Sequence, residues 1–249
     1  MNTHIEEGIL RFPLDDAFAG IGQLNLQNAI VLDVGANTGA YALGMAALGA
    51  RRVYAIEPGP RFFSQLRASV VAHKAESVVS CHEVGLGKAP GILLWYRDLD
   101  NPCGNGHVLP ARDALNTDKI RRTDLSRDGV PVRITTLDAF VAEHQIAGVD
   151  LIKIDVEGME WDVLSHGKET IRRHKPVVVA ETLRVLPDCL GVDYLTPMFQ
   201  WFYDLGYESF THQNNTYNDA HDYKLARFLY PNFTSDTFFV HPDRDLIRR

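Results

Sequence analysis

Ionisable residues cluster where a short apolar strand is expected to end. Residues 148–155 read Gly-Val-Asp-Leu-Ile-Lys-Ile-Asp, so Lys153 and Asp155 interrupt a buried run, and Glu157 follows shortly after. Removing an unpaired charge from water is costly, and alternation along a strand puts Lys153 and Asp155 on the same side, where they can pair. A carboxylate in this position can orient a hydroxyl group and accept its proton.

Two further candidates are predicted to reach the same edge of a sheet. Glu181 ends the apolar run that begins at Val177, and the carboxyl ends of parallel strands share one edge. His212 follows a predicted strand at 208–210 and could serve as a general base, although a solvated loop histidine, as for His107, is the alternative. A buried ion network without catalytic use is the alternative for the whole cluster.

A metal site is a further alternative. Asp155 together with Glu157 or Glu181 could hold a magnesium ion that acidifies a hydroxyl group, because oxygen ligands suit this ion.

A glycine-containing loop follows the first predicted strand, Ala29–Asp33. The sequence Asp33-Val-Gly-Ala-Asn-Thr-Gly39 places Gly35 and Gly39 at a strand-to-helix turn, where backbone N–H groups can approach a ligand. Asn37 stands where a third glycine is common, and asparagine tolerates left-handed backbone angles. Glu57 ends the second predicted strand and can accept hydrogen bonds from a ribose diol. A tight turn without a ligand is the alternative for the two glycines.

The order of elements predicts a parallel sheet with helices on both faces. Short apolar runs at 29–33, 52–56 and 77–84 alternate with helical patterns at 41–48 and 61–72. Four later segments extend this pattern: a helix at 137–144, a strand at 150–155, a helix at 157–174 and a strand at 176–180.

Residues 91–136 interrupt this alternation. They predict a β-hairpin of 91–97 and 130–136, joined by a long polar loop that is either a surface insertion or a lid over a substrate. We expect one domain over residues 1–249, with residues 1–28 as an N-terminal extension and 91–136 as the insertion.

Composition excludes several classes of protein. The chain has 249 residues, of which 45% are hydrophobic and 23% charged, and its net charge is -7. That charge argues against a nucleic-acid partner, and the chain lacks an apolar run long enough for a membrane span. The acidic start lacks a signal-peptide core, which favours a cytoplasmic protein. Oligomeric state does not follow from these patterns.

Four motifs, in chain order, closely resemble the FkbM family of methyltransferases. They are Asp33–Gly39, Glu57-Pro58, Thr136-Leu-Asp138 and Ile152–Glu160, and the resemblance runs from about Ile30 to Thr182. It implies a Rossmann-like class I fold with a seven-stranded, mostly parallel sheet. It also implies an S-adenosylmethionine-dependent O-methyltransferase acting on hydroxyl groups of sugars, glycolipids, polyketides or other natural products.

The resemblance also implies a cofactor site. Asp33, Gly35, Ala36, Asn37 and Gly39 would hold the methionine and ribose side of S-adenosylmethionine, with Asp155 at its reactive end. Glu57 with Pro58 would contact the ribose. The residues expected near the adenine are Glu83, Val84 and Gly85, of which Val84 also suits a core position. The lysine that some metal-dependent O-methyltransferases carry three residues after the aspartate is replaced by Gly158, so their mechanism does not transfer directly.

Two other functions remain open at this stage. An NAD(P)-dependent oxidoreductase is disfavoured because the chain lacks a GxGxxG loop and a Tyr-x-x-x-Lys pair. A non-catalytic cofactor-binding protein would be favoured if the Asp155 cluster were buried without an adjoining cavity.

Overall fold

The structure is a computed structural model that describes residues 16–97, 106–109, 129–182, 195–212, 225–227 and 236–244. Its helices are α1 (Asp16–Ile21), α2 (Ala40–Ala47), α3 (Pro60–Ala72), α4 (Leu137–Glu143), α5 (Glu160–Leu164), α6 (Lys168–His174) and α7 (Leu195–Asp204). Its strands up to residue 109 are β1 (Ile30–Val34), β2 (Arg52–Ile56), β3 (Val79–His82), β4 (Gly85–Leu86), β5 (Gly91–Arg97) and β6 (Gly106–Leu109). The later strands are β7 (Val130–Thr135), β8 (Leu151–Ile154), β9 (Val177–Glu181), β10 (Glu208–His212), β11 (Leu225–Arg227) and β12 (Asp236–Val240).

The main sheet has the strand order β11-β10-β12-β9-β8-β1-β2-β3. Strands β3, β2, β1, β8 and β9 pair in parallel, whereas β12 is antiparallel to both β9 and β10. The seven-stranded, mostly parallel sheet expected from the sequence is therefore confirmed, with the three-residue β11 as an additional edge strand. Strands β1 and β8 lie side by side at its centre, where the strand order reverses and ligands bind in open α/β sheets.

Alternation along the strands separates two apolar cores. One face of the sheet contributes Leu32, Ile152 and Val178, and helices α4 to α7 cover it. The other face contributes Val31, Leu151 and Val179, and α2 and α3 cover it. Because side chains alternate, Asp33, Lys153 and Asp155 belong to this second face at the carboxyl edge of the strands.

A second sheet has the order β4-β7-β5-β6. Its β5 and β7 pair antiparallel, which confirms the predicted pairing of 91–97 with 130–136. Strand β6 comes from the stretch expected to be a loop and pairs with β5. The rest of that loop, and so its proposed role as a lid, lies outside the described residues.

Two element boundaries differ from the sequence-based prediction. The single helix expected at 157–174 is two helices, α5 and α6, separated at Ser165–Gly167. A Cβ on Gly167 would lie 2.2 Å from Leu137 Cδ2, so close packing against α4 accompanies the break. Part of the N-terminal extension is structured, since α1 is followed by the fully buried Leu24 and Leu26. The single-domain organisation of residues 1–249 stays a prediction.

Within the described residues, no helix is both long enough and apolar enough to cross a bilayer.

Candidate functional site

Lys153 and Asp155 form the ion pair that the sequence predicts. Lys153 Nζ lies 3.1 Å from Asp155 Oδ2, and the side chains are 4% and 38% exposed. The ammonium group also lies 4.4 Å from the centre of the Tyr41 ring, which α2 provides. Burial alone lowers the pKa of Lys153, but the carboxylates of Asp155, Asp33 and Asp236 outweigh it and raise the pKa above its usual value. The pair thus joins a buried cation to a carboxylate that reaches the surface.

Asp33 adds a second carboxylate to this cation. It is the register partner of Lys153 between β1 and β8, and it is fully buried. The nearby Ala42 amide favours its charged form, but neither carboxylate oxygen has a well-formed hydrogen bond among the described residues. Burial raises the pKa of Asp33 to about 6, against the opposing effect of Lys153. A buried carboxylate with unused acceptors is suited to a ligand that supplies donors.

The loop after β1 adopts left-handed backbone angles. The φ angles of Gly35, Asn37 and Gly39 are 81°, 51° and 94°, so the asparagine takes the conformation expected of it. A Cβ on Gly35 would lie 1.9 Å from the carbonyl oxygen of Asp155, which only glycine permits. Gly35 therefore brings the loop into direct contact with the residue at the end of β8.

Three backbone amides of this loop donate hydrogen bonds to backbone carbonyl groups. The N–H groups of Gly35 and buried Ala36 both donate to the carbonyl oxygen of Ile56, and that of Gly39 donates to Ala36. These three amides already have backbone acceptors, and a contact of this loop with a ligand stays a prediction. They hold the loop against β2, because buried backbone donors need partners.

The carboxylate of Glu57 also binds this loop. Its Oε2 accepts from the Asn37 amide at 2.9 Å, and its Oε1 accepts from the Gly59 amide at 2.7 Å. Burial raises the pKa of Glu57 to about 7, although both amides favour the charged form. Each carboxylate oxygen can accept further hydrogen bonds, so the ribose role predicted for Glu57 remains available beside its role in the loop.

The residues predicted near an adenine lie beyond β3. The Glu57 amide donates to His82, the residue before Glu83, so this segment adjoins the end of β2. Glu83 is exposed, whereas Val84 is buried in an apolar core. A Cβ on Gly85 would lie 3.3 Å from Pro58, which places these two predicted residues together.

The segment between Asp155 and α5 is a tight turn. Glu157 and Gly158 have φ angles of 58° and 94°, so the expectation that they open the helix is wrong. The helix begins at Glu160. Its Oε1 accepts from the amides of Val156 at 3.0 Å and Gly158 at 3.1 Å.

Glu181 joins Asp155 at the edge of the sheet, together with a residue not anticipated from sequence. Asp236, at the start of β12, is the register partner of Glu181. Burial, reinforced by Asp155, Glu157 and other nearby carboxylates, raises the pKa of Glu181 to about 9. Glu181 is therefore protonated at neutral pH and can donate a hydrogen bond.

His212 ends β10, and the adjacent Thr211 pairs with Thr237, so its backbone lies at the same edge as Asp236. Its side chain, and that of His107 in β6, lie outside the described part of the chain. The general-base role of His212 stays a prediction.

No group of three or more histidine, cysteine, aspartate or glutamate side chains forms a potential metal site in the portion of the chain that is described. The magnesium site predicted at Asp155 with Glu157 or Glu181 is therefore not supported.

Sequence reasoning missed the functions of Tyr41, Glu160 and Asp236. Tyr41 lies two residues after the glycine loop, but only the fold shows that its ring covers Lys153. Asp236 is the first residue of β12, and its pairing with Glu181 depends on the register of the two strands. Glu160 resembles an ordinary acidic residue in the first turn of a helix.

Comparisons with known proteins agree with this geometry. The sequence model of the "Methyltransferase FkbM domain" family matches residues 33–209, which include the glycine loop, Glu57 and the Asp155 cluster. The chain is 31% identical over 148 residues to Methyltransferase 1 of Beauveria bassiana, covering 55% of this chain and 57% of that protein. It is 30% identical over 156 residues to Methyltransferase sdnD of Sordaria araneosa, covering 55% and 60%.

Two further similarities concern a much longer protein and a solved structure. The chain is 29% identical over 175 residues to AMB antimetabolite synthetase AmbE of Pseudomonas aeruginosa, of which it covers 8%. The crystal structure of Methyltransferase FkbM from Methylobacillus flagellatus KT aligns with a TM-score of 0.54 and 16% identity over 95% of this chain and 46% of that chain. The chain thus spans little more than half of the two curated methyltransferases it matches. Since the family model covers most of its length, the chain belongs to the FkbM methyltransferase family and has the Rossmann-like class I methyltransferase fold.

Proposed function

We propose that the protein is an S-adenosylmethionine-dependent O-methyltransferase that methylates a hydroxyl group of a small molecule, sugar or natural product. The observation that carries the proposal is the contact between the glycine loop and Asp155. Gly35 packs on the carbonyl oxygen of Asp155, so a cofactor held by the loop would lie beside a carboxylate that is 38% exposed. A purely buried ion network would not expose that group.

The residues present fit the cofactor. Asp33 is buried with both carboxylate oxygens available as acceptors, and we assign it to the amino-acid side of the cofactor. Glu57, at the end of β2, has acceptor capacity for two ribose hydroxyls. We assign Gly35, Asn37 and Gly39 to the loop that shapes this site, with Pro58 and Glu83–Gly85 on the adenine side.

The catalytic step needs an aligned hydroxyl oxygen and an acceptor for its proton. When bound, S-adenosylmethionine supplies the methyl group on a sulfonium, which keeps the electron pair of the broken bond. Asp155 orients the acceptor hydroxyl and takes its proton on Oδ1, while Lys153 holds Oδ2. Glu181, protonated at neutral pH, donates a hydrogen bond to the acceptor rather than serving as the base.

Support for a small-molecule acceptor comes from charge and from relatives. The net charge of -7 disfavours nucleic acid. One relative is named an antimetabolite synthetase, which favours biosynthesis of a natural product. Location in the cytoplasm belongs to the same proposal.

The test is transfer of a labelled methyl group. The protein is incubated with S-adenosylmethionine labelled in its methyl group and a panel of sugars, phenols, hydroxy acids and their amine analogues. The proposal predicts label in an ether at the hydroxyl position. Transfer to the amine analogues alone would contradict O-methylation.

A further inference from the structure

Glu160 is a buried carboxylate that lies behind the proposed site. It is the first residue of α5 and its exposed fraction is 0%. Its Oε1 accepts hydrogen bonds from the amides of Val156 and Gly158, on both sides of Glu157. Glu160 is therefore bonded to the backbone that leads away from Asp155.

The turn that Glu160 bonds has an unfavourable conformation. Glu157 has a φ angle of 58°, a left-handed value that residues with side chains rarely adopt, and Gly158 follows at 94°. Such conformations persist where the surrounding structure enforces them. The residue that precedes α5, Met159, provides no side-chain hydrogen bond to the helix, so the described contacts that hold these two amides come from Glu160.

The same turn determines where the site's carboxylates point. The Asp155 amide is fixed to Val34 as a continuation of the sheet. From Val156 onward the chain leaves the sheet. The left-handed backbone conformation of Glu157 then sets the direction of the Glu157 side chain. A change in this turn would move Glu157 and tilt Asp155 while leaving the glycine loop on β2.

We propose that Glu160 is a positioning residue that holds the Asp155–Met159 turn in its left-handed conformation and so presents Asp155 and Glu157 to the acceptor. This inference rests on the proposed function for its catalytic consequence, but not for the turn itself. Burial raises the pKa of Glu160, against the effect of the amides it accepts from. A glutamine keeps the accepting oxygen, so Glu160→Gln should preserve the turn, whereas Glu160→Asp is too short to reach both amides.

Hydrogen exchange tests the turn without an acceptor. Peptides that contain Val156 and Gly158 are compared in the wild type, Glu160→Asp, Glu160→Gln and the control Asp162→Ala. Asp162 lies on the same helix but pairs with Lys88. Glu160→Asp should accelerate exchange of these peptides about tenfold, as loss of a hydrogen bond predicts, with β1 and β9 unchanged. Glu160→Gln and Asp162→Ala should stay within about threefold of the wild type.

Two results would overturn the inference. Unchanged exchange in Glu160→Asp would show that Glu160 does not hold the turn. Equal acceleration in Glu160→Gln, or acceleration that extends to β1 and β9, would show a general effect on stability.

Binding and turnover separate this inference from the proposed function. Glu160→Asp should keep its affinity for S-adenosylhomocysteine within about threefold, yet lower kcat on an acceptor found in the labelling panel at least tenfold, because small misplacements near reacting groups cost rate. A wild type that binds no S-adenosylhomocysteine would contradict the proposed function, while the exchange experiment would still decide the role of Glu160. An unchanged kcat in a variant whose turn is loosened would overturn the positioning role.

Discussion

At the scale of single residues, the site depends on how Lys153 is kept charged inside the protein. Three carboxylates and the face of an aromatic ring surround its ammonium group, and these interactions offset the cost of burial. Asp155 forms the hydrogen bond to Lys153 and has a side chain that is 38% exposed, which makes it our candidate to meet an acceptor.

Replacing Asp155 tests that role. Asp155→Asn keeps the size of the side chain but removes the proton acceptor, so turnover should fall roughly 10²–10⁴-fold, as for loss of a general base. Affinity for S-adenosylhomocysteine should change little, because Gly35 contacts the backbone of residue 155. Labelled methyl transfer and calorimetry measure the two effects. A turnover near that of the wild type would move the catalytic role to Glu157 or His212.

Glu57 is predicted to hold both the loop and the cofactor. Glu57→Ala should weaken binding of S-adenosylhomocysteine at least tenfold, the equivalent of about 1.4 kcal/mol, because two ribose hydrogen bonds and the Asn37 contact are lost. Glu76→Ala removes an exposed carboxylate elsewhere and serves as the control. Equal affinity in both variants would refute the ribose assignment.

Sequence could identify Asp155, Lys153 and their pairing because alternation along a strand is a local property. It could not identify the role of Glu160. The sequence pattern of a glutamate at the start of a helix is the same whether its side chain faces water or accepts hydrogen bonds from the preceding turn. For Glu160 the second case depends on the left-handed angles of Glu157 and Gly158.

At the scale of elements, the site is built where β1 and β8 meet. The glycine loop follows the first of these strands, and the Asp155 turn follows the second. Their contact at Gly35 leaves no room for a side chain, so a larger residue there would push the two elements apart.

A single methyl group at this contact should disrupt the site. Gly35→Ala forces a Cβ against the Asp155 carbonyl at a positive φ angle, a conformation that by itself costs about 1–2 kcal/mol. The variant should unfold at a lower temperature and bind S-adenosylhomocysteine at least tenfold more weakly, about 1.4 kcal/mol. Gly148→Ala, where an added Cβ meets no atom within 4 Å, is the control. Thermal unfolding and calorimetry compare them, and similar behaviour of the two variants would contradict this account.

Local patterns predicted most strands and helices, but not the break between α5 and α6. Residues 165–170 carry no apolar side chain, and the break there accompanies close packing of Gly167 on Leu137. Gly167 is a local sign of the break, but its contact with a distant segment depends on the fold.

At the scale of the whole molecule, the carboxyl edge of the sheet concentrates acidic groups whose pKa values burial raises. Asp33, Glu57 and Glu181 have pKa values of about 6, 7 and 9. Through these three groups the folded protein binds more protons than the unfolded chain, so their contribution to the free energy of unfolding decreases as pH rises through these values. Burial lowers the pKa of His82 to about 4, which has the opposite effect below about pH 6.5.

This dependence of the free energy of unfolding on pH gives a prediction for thermal stability. The Tm should fall as pH rises from about 6.5 to 9, by roughly 2–4 °C for each kcal/mol lost in a protein of this size. Glu181→Gln mimics the protonated group and should flatten the decrease between pH 7 and 9. Calorimetric scans of both proteins at fixed ionic strength measure it. A wild-type Tm that rises over this range would contradict the assigned pKa shifts.

Contacts between segments that are far apart in the chain could not be predicted from the sequence. Asp236 meets Glu181 through register, and Arg244 in the C-terminal segment donates to Asp150 at 2.6 Å, 94 residues away. The fold class followed from repeated strand and helix patterns, whereas these contacts depend on the completed sheet.

The most direct test of the account is calorimetric titration of the purified protein with S-adenosylmethionine, S-adenosylhomocysteine and NADH in the same buffer. We expect the protein to bind the two adenosyl compounds in roughly the micromolar range, as is common for enzyme ligands, and not to bind NADH. Binding of NADH without either adenosyl compound would contradict the proposed methyltransferase and favour an oxidoreductase.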